Sequence, residues 1–200
     1  MSNIGKMFLA ARLNDISIAA ECLKGEPDFD LNVENDHGNT LLSTSIENGN
    51  FEIAHFFINK GIDTNQRSGS NLCTPLHLCV LTSHPNKGYE IMKELLKAGA
   101  LPNVQSFGGY TPLQFACIMN SRIDQIKLLL ENHADVNIIN DKGDNALHCA
   151  MLVHGDIAVV KLLVDAGIDM YLKNKKQNTP LAIAKEYKHF RAAQYLERYI

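Results

Sequence analysis

The sequence has no tryptophan, no CxxC pair and no long apolar run. Its five cysteines are Cys22, Cys73, Cys79, Cys117 and Cys149. An odd number without paired spacing excludes a complete disulfide framework, and four of the five lie in or beside apolar helical runs. They read as reduced, buried thiols of a cytosolic compartment. No stretch approaches the ~20 apolar residues that span a bilayer. The apolar run in Met1 to Ala11 is too short and interrupted for a signal peptide. The expectation is a cytoplasmic protein with no membrane partner; a C-terminal secretion signal, which this test does not see, would place it in a host cytosol. A net charge of −3 gives no broad positive field for nucleic acid. Gly108-Gly109 is not followed by Lys-Ser/Thr, so no phosphate loop and no nucleotide cofactor are expected.

What is present is enough apolar residue for a core, 46% against 20% charged, and an uneven charge. Residues 1–68 hold five Lys/Arg against ten Asp/Glu, while residues 173–200 hold seven against two. Two solvated ends explain this, as does a polarised docking surface that orients a partner.

The chain repeats itself. "TLLS" begins at Thr40, "TPLH" at Thr74, "TPLQ" at Thr111, "NALH" at Asn145 and "TPLA" at Thr179, at intervals of 34, 37, 34 and 34 residues. A second marker keeps the same beat: "GIDTN" at Gly61, "GALPN" at Gly99, "HADVN" at His133 and "GIDMY" at Gly167. Thr caps a helix and Pro fits its first turn. A short apolar helix follows, then a second, amphipathic one, as in Asp124–Glu131 with Ile126, Leu129 and Leu130 turned inward. Gly then ends that helix, and a polar turn returns the chain to the next Thr-Pro-Leu.

These motifs resemble the ankyrin-repeat family over nearly the whole chain. The resemblance implies one domain over 1–200: an all-α solenoid of stacked helix-turn-helix units joined by short β-hairpin-like loops. A degenerate opening repeat covers about 5–33, central repeats 35–67, 68–105, 106–139 and 140–172, and a C-terminal capping repeat 173–200. Leu72 and Gln177 replace the usual turn glycine, which predicts looser or differently shaped hairpins there. "LTSHPNKGYE" predicts an extra loop between the helices of the third unit, and single extra residues fall near Asn120–Ile123 and Val153–Asp156.

The family docks proteins on its concave face, along hairpin tips and inner-helix ends. Carried onto this chain, that implies a partner-binding surface of Asp36, His37 and Asn39; Asn71 and Cys73; Phe107, Tyr110 and Met119; Asp141, Lys142 and Asp144; and Lys175 and Lys176. "SFGGYTPLQFAC" places two aromatics beside a turn, where nothing covers them and large, stiff side chains serve as anchors. The function expected is a non-catalytic adaptor or inhibitor, monomeric, without cofactor or metal, binding another protein. One alternative is a microbial or viral effector that captures a host protein, in keeping with a composition rich in Asn, Ile and Lys. Another is an inhibitor of a Rel-type transcription factor, suggested by "TPLHLCVLTSHP".

Catalysis and zinc have weaker claims. His77, Cys79, His148 and Cys149 lie on equivalent helices, but without zinc-ligand spacing. Their thiols are expected inside the inter-repeat core, where burial raises a thiol pKa. The lysine-rich end, with Tyr171, Tyr187, Tyr195 and Tyr199 interleaved, reads as a cap rather than a nucleic-acid surface.

Overall fold

The computed structural model describes residues 2–119 and 123–199. Among them, twelve α-helices run in six antiparallel-type pairs, split between two compact units. The first unit, Met1–Leu101, holds α1 (Asn3–Leu13) with α2 (Ile16–Gly25), α3 (Leu41–Glu47) with α4 (Phe51–Asn59), and α5 (Pro75–Leu81) with α6 (Pro85–Lys97). The second, Pro102–Ile200, holds α7 (Pro112–Ile118) with α8 (Ile123–Glu131), α9 (Ala146–Val153) with α10 (Ile157–Asp165), and α11 (Pro180–Glu186) with α12 (Phe190–Leu196). No strand forms among the described residues; Glu34–Thr40 and Ser68–Cys73 make isolated antiparallel bridges. The insertion near Asn120 falls on 120–122, outside the described residues.

The repeated Thr-Pro-Leu element starts each first helix as its chemistry requires. Thr40, Thr111 and Thr179 accept the backbone N–H three residues on, at 3.0, 3.2 and 3.2 Å. The fourth residue of the element reaches back to the cap: Ser43 Oγ, His77 Nδ1, Gln114 Oε1 and His148 Nδ1 each accept the cap residue's N–H. Two orphan donors of the helix start are thus satisfied reciprocally. Gln114 also donates forward to the carbonyls of Ile138 and Asp144 (2.7 and 3.0 Å), and His148 Nε2 to that of Asn178 (3.0 Å). In the last of these helix pairs the position is Ala182, whose methyl cannot complete the cap.

The core is built from the apolar faces of both helices in each pair. Leu41, Leu42, Ile46, Ile53, Phe57, Leu76, Met92 and Leu95 are fully buried in the first unit, and Leu113, Ile126, Leu129, Leu147, Val160 and Leu163 in the second. Each such side chain contributes about 1.5–3 kcal/mol on burial, so Phe57→Ala alone removes about 3–5 kcal/mol.

The ends of the second helices are stitched by asparagine. Asn65 Oδ1 accepts the Leu101 N–H (2.7 Å) while its Nδ2 donates to the Gly99 carbonyl (3.1 Å). Asn103 does the same to Asp135 and His133, and Asn137 to Asp169 and Gly167. Asn32 starts the row by accepting the Asp63 N–H. Tyr171 closes it, donating its hydroxyl to the Tyr199 carbonyl.

Two expectations are corrected. The extra residues of the third unit are not a loop from end to end: Pro85 fits a first helical position, and α6 is 13 residues long where α4 has nine. Nor is the Gln177 hairpin loose. Its N–H donates to the Asn174 carbonyl at 2.8 Å, and Asn174 N–H to the Asn178 carbonyl at 3.0 Å, matching the Gly143 hairpin bond for bond. Gln177 itself takes φ +63°. At Gly143, also left-handed, a Cβ would lie 3.0 Å from the Lys175 nitrogen of the next hairpin. The Leu72 hairpin does differ, by one residue in length, with Ser68 and Cys73 exchanging both backbone bonds.

This separates two costs of replacing glycine. Gly167→Ala meets only the left-handed backbone, with nothing within 4 Å, and is expected to lose about 1–2 kcal/mol in urea unfolding. Gly143→Ala adds a clash with the next hairpin and is expected to lose more; equal losses would show that the hairpins are not held in contact.

Candidate functional site

What positions candidate side chains is the hairpin backbone. In the second unit, Asp141 N–H donates to the Gly108 carbonyl and Lys175 N–H to the Lys142 carbonyl, each at 3.0 Å. In the first unit, Gly69 N–H donates to the Gly38 carbonyl at 2.9 Å. The hairpins are therefore braced against their neighbours while their tip side chains point away.

Asp36, His37, Asn71, Asp141, Lys142, Lys175 and Lys176 are exposed at these tips, and Asn39 is half-buried. Phe107 is 72% exposed. Gly108 behind it has φ +80° and ψ 8°, values a type II turn places at its third residue and glycine accepts without strain. This explains the paired glycines of the motif: the tip turn needs one and the return to α7 the other.

Tyr110 is not a free tip. Its ring stacks on Phe115, with centroids 5.4 Å apart and planes at 16°. Lys142 Nζ lies 5.9 Å from the Tyr110 centroid, and its hydrogen bond to the Tyr110 hydroxyl raises the lysine pKa. Met119, 50% exposed, follows one turn after Phe115 on α7 and donates its N–H to that residue's carbonyl. Phe107, Tyr110, Phe115 and Met119 thus run from hairpin to inner-helix end.

Two expected contact residues are withdrawn. Cys73 is 5% exposed, its backbone committed to the hairpin bridge. Asp144 is 2% exposed and accepts from Asn174 Nδ2 at 2.7 Å. Both sit just before the helix cap, where the chain turns inward. Sequence reasoning missed Glu47. It ends α3 and lines a groove of about 570 Å³ with His37, Asn39, Ser70, Asn71, Leu78 and Leu81. The available signal was a carboxylate at the end of a first helix, where the helix dipole disfavours it.

The chemistry-bearing groups are otherwise spent on structure. All five cysteines are buried. Burial pushes the Cys117 thiol up to about 12, and raises those of Cys73, Cys79 and Cys149 as well. None of these four supplies a thiolate at neutral pH. His148 is neutral in its cap, its pKa lowered mainly by burial.

The comparisons agree with this geometry. A family model described as ankyrin repeats, three copies, matches residues 7–106, 83–174 and 118–199. The chain belongs to the ankyrin-repeat family. Ankyrin repeats are protein-interaction modules. An ankyrin repeat protein of Rickettsia bellii is 32% identical over 58% of this chain, which spans 33% of that relative. The solved ankyrin repeat protein EF0377 superposes with a TM-score of 0.86 at 27% identity, covering 99% of both chains. A chain of the complex between the Bd0816 predatory endopeptidase of Bdellovibrio bacteriovorus and the immunity protein Bd3460 superposes with a TM-score of 0.80 at 26% identity, covering 96% of this chain and 97% of that one. Among the described residues, no ankyrin helix here is long and apolar enough to cross a membrane.

The capping role of His148 has a pH signature. A histidine whose folded pKa is depressed contributes stability above the unfolded value of about 6.5, and that stability is lost as pH falls through the folded value. His148→Gln, with the geometry already seen at Gln114, is expected to cost under about 1 kcal/mol at pH 7.5 and to flatten the stability loss between pH 7 and 5. An unchanged pH slope in chemical denaturation would refute the assignment.

Proposed function

We propose that this chain is a non-catalytic docking module, an adaptor or inhibitor, that binds a partner protein through its hairpin tips and inner-helix ends. The observation that carries this reading is Phe107: a large aromatic left 72% exposed on a backbone braced by the next hairpin. Leaving such a side chain in water costs the free protein the hydrophobic term and returns nothing to its fold, whereas a partner that covers it recovers that term with little rotamer entropy lost. Met119 and the Tyr110–Phe115 stack extend the same apolar strip, and Asp141, Lys142, Lys175 and Lys176 supply a charged rim on the adjoining hairpins. The likeness to a chain of the endopeptidase–immunity complex supports the inhibitor form of the reading.

Phe107→Ala with Met119→Ala is the test, with Lys127→Ala on α8, an exposed second-helix residue, as control. The protein captured by wild type from its native lysate is expected to lose about 30-fold or more in affinity with the double variant, as for a central anchor worth about 2 kcal/mol. The control is expected to bind normally, and both variants to melt within about 2 °C of wild type. Full binding by the double variant, with loss in the control, would place the interface on the second helices instead.

A further inference from the structure

The docking reading leaves the chemistry of the partner open, and the first unit narrows it. Glu47 is the last residue of α3, a helix end whose dipole disfavours a negative charge. Glu47 is exposed by area, yet its position on the groove wall desolvates the carboxyl enough to raise its pKa. Among the described residues no lysine or arginine pairs with it or lines the groove; the titratable groups beside it there are His37 and Cys73. Three features of the fold thus disfavour a carboxylate here, and nothing in the fold compensates.

A bound cation would reverse all three. The rest of the groove suits the longest cationic side chain. Leu78 and Leu81, the latter 41% exposed, form an apolar wall for a methylene stem. Asn39, Ser70 and Asn71 supply neutral oxygen acceptors beside the carboxylate, more than one ammonium uses but suited to the five donors of a guanidinium. The surrounding unit, Met1–Leu101, holds eight Lys/Arg against twelve Asp/Glu, a field that favours a cation's approach. We propose that this groove is a subsite for an arginine side chain of the partner protein, with Glu47 as its counter-ion and Leu78 and Leu81 walling its stem. The proposal rests on the docking reading and gives the partner a specific chemistry.

The test uses the full chain and a probe free of other charges, N-acetyl-arginine amide, followed by NMR. The probe is expected to shift the backbone amide signals of Ser70, Cys73, Leu78 and Leu81 saturably in the millimolar range. Its neutral isostere, N-acetyl-citrulline amide, is expected to bind at least tenfold more weakly. Glu47→Gln is expected to weaken the arginine probe at least fivefold without lowering the thermal midpoint at pH 7. The sign follows from linkage: a carboxyl whose folded pKa is raised costs stability when ionised, so wild type gains stability as pH falls through that value and the variant does not. A supporting role for Glu47 in the fold would instead lower the midpoint. No shift in the groove, equal binding of citrulline, equal binding by Glu47→Gln, or a lowered midpoint each overturns the proposal. The probe reports on the first unit only, so its failure is read apart from the Phe107/Met119 capture result.

Discussion

The structure depends on a simple constraint: a single repeat cannot satisfy its own backbone. The loop after each second helix leaves an N–H and a C=O exposed at the same edge, and one asparagine of the preceding repeat reaches both. Asn65, Asn103 and Asn137 each spend their amide oxygen and nitrogen in this way. Leaving such groups unpaired would cost about 1–3 kcal/mol apiece wherever they are shielded from water. Stacking within each unit is therefore a hydrogen-bonding requirement as much as a hydrophobic one.

The same constraint explains the departures at the last repeat. Ala182 stands where Ser43, His77, Gln114 and His148 complete caps, Gln177 where Gly143 clears the next hairpin, and Tyr171 where asparagine would bridge forward. Of the replaced residues, Gln114 and His148 also reach forward to the next repeat. Tyr171 still reaches forward, donating its hydroxyl to the Tyr199 carbonyl of the 173–200 repeat.

Much of this was legible in the sequence. Two markers in phase at about 34 residues fixed the number of helix pairs, because Thr-Pro caps and Gly stops are local chemistry. Cysteine burial followed from apolar neighbours. What was not legible depends on distance in space. The role of the ladder asparagines was hidden, though the residues themselves marked the repeat. Pro85 was read as part of a loop because its polar followers lack a helical apolar period, yet they are the exposed start of α6. Tyr110 was read as a tip because its stack on Phe115 joins a hairpin to a helix. Glu47 was passed over because its meaning lies in the groove around it.

The division of labour within each hairpin then bears on function. The residues at the two tip positions, such as Asp36 and His37, Asp141 and Lys142, or Lys175 and Lys176, are exposed. The residue two places further on turns inward, which is why Asp141 faces water while Asp144 is buried and bonded to Asn174. Stacking thus claims the base of every hairpin and leaves its tip unclaimed. Tip residues can vary without cost to the fold, while their backbones are held by bonds to a neighbouring hairpin of the same unit. That pairing of fixed placement with free identity is what recognition needs: side chains held at set positions, losing little entropy on binding. In the second unit the free positions hold Phe107 and lysines, and in the first they border a groove around Glu47. The fold is indifferent to those identities, so the reason for them has to lie in what touches the surface from outside.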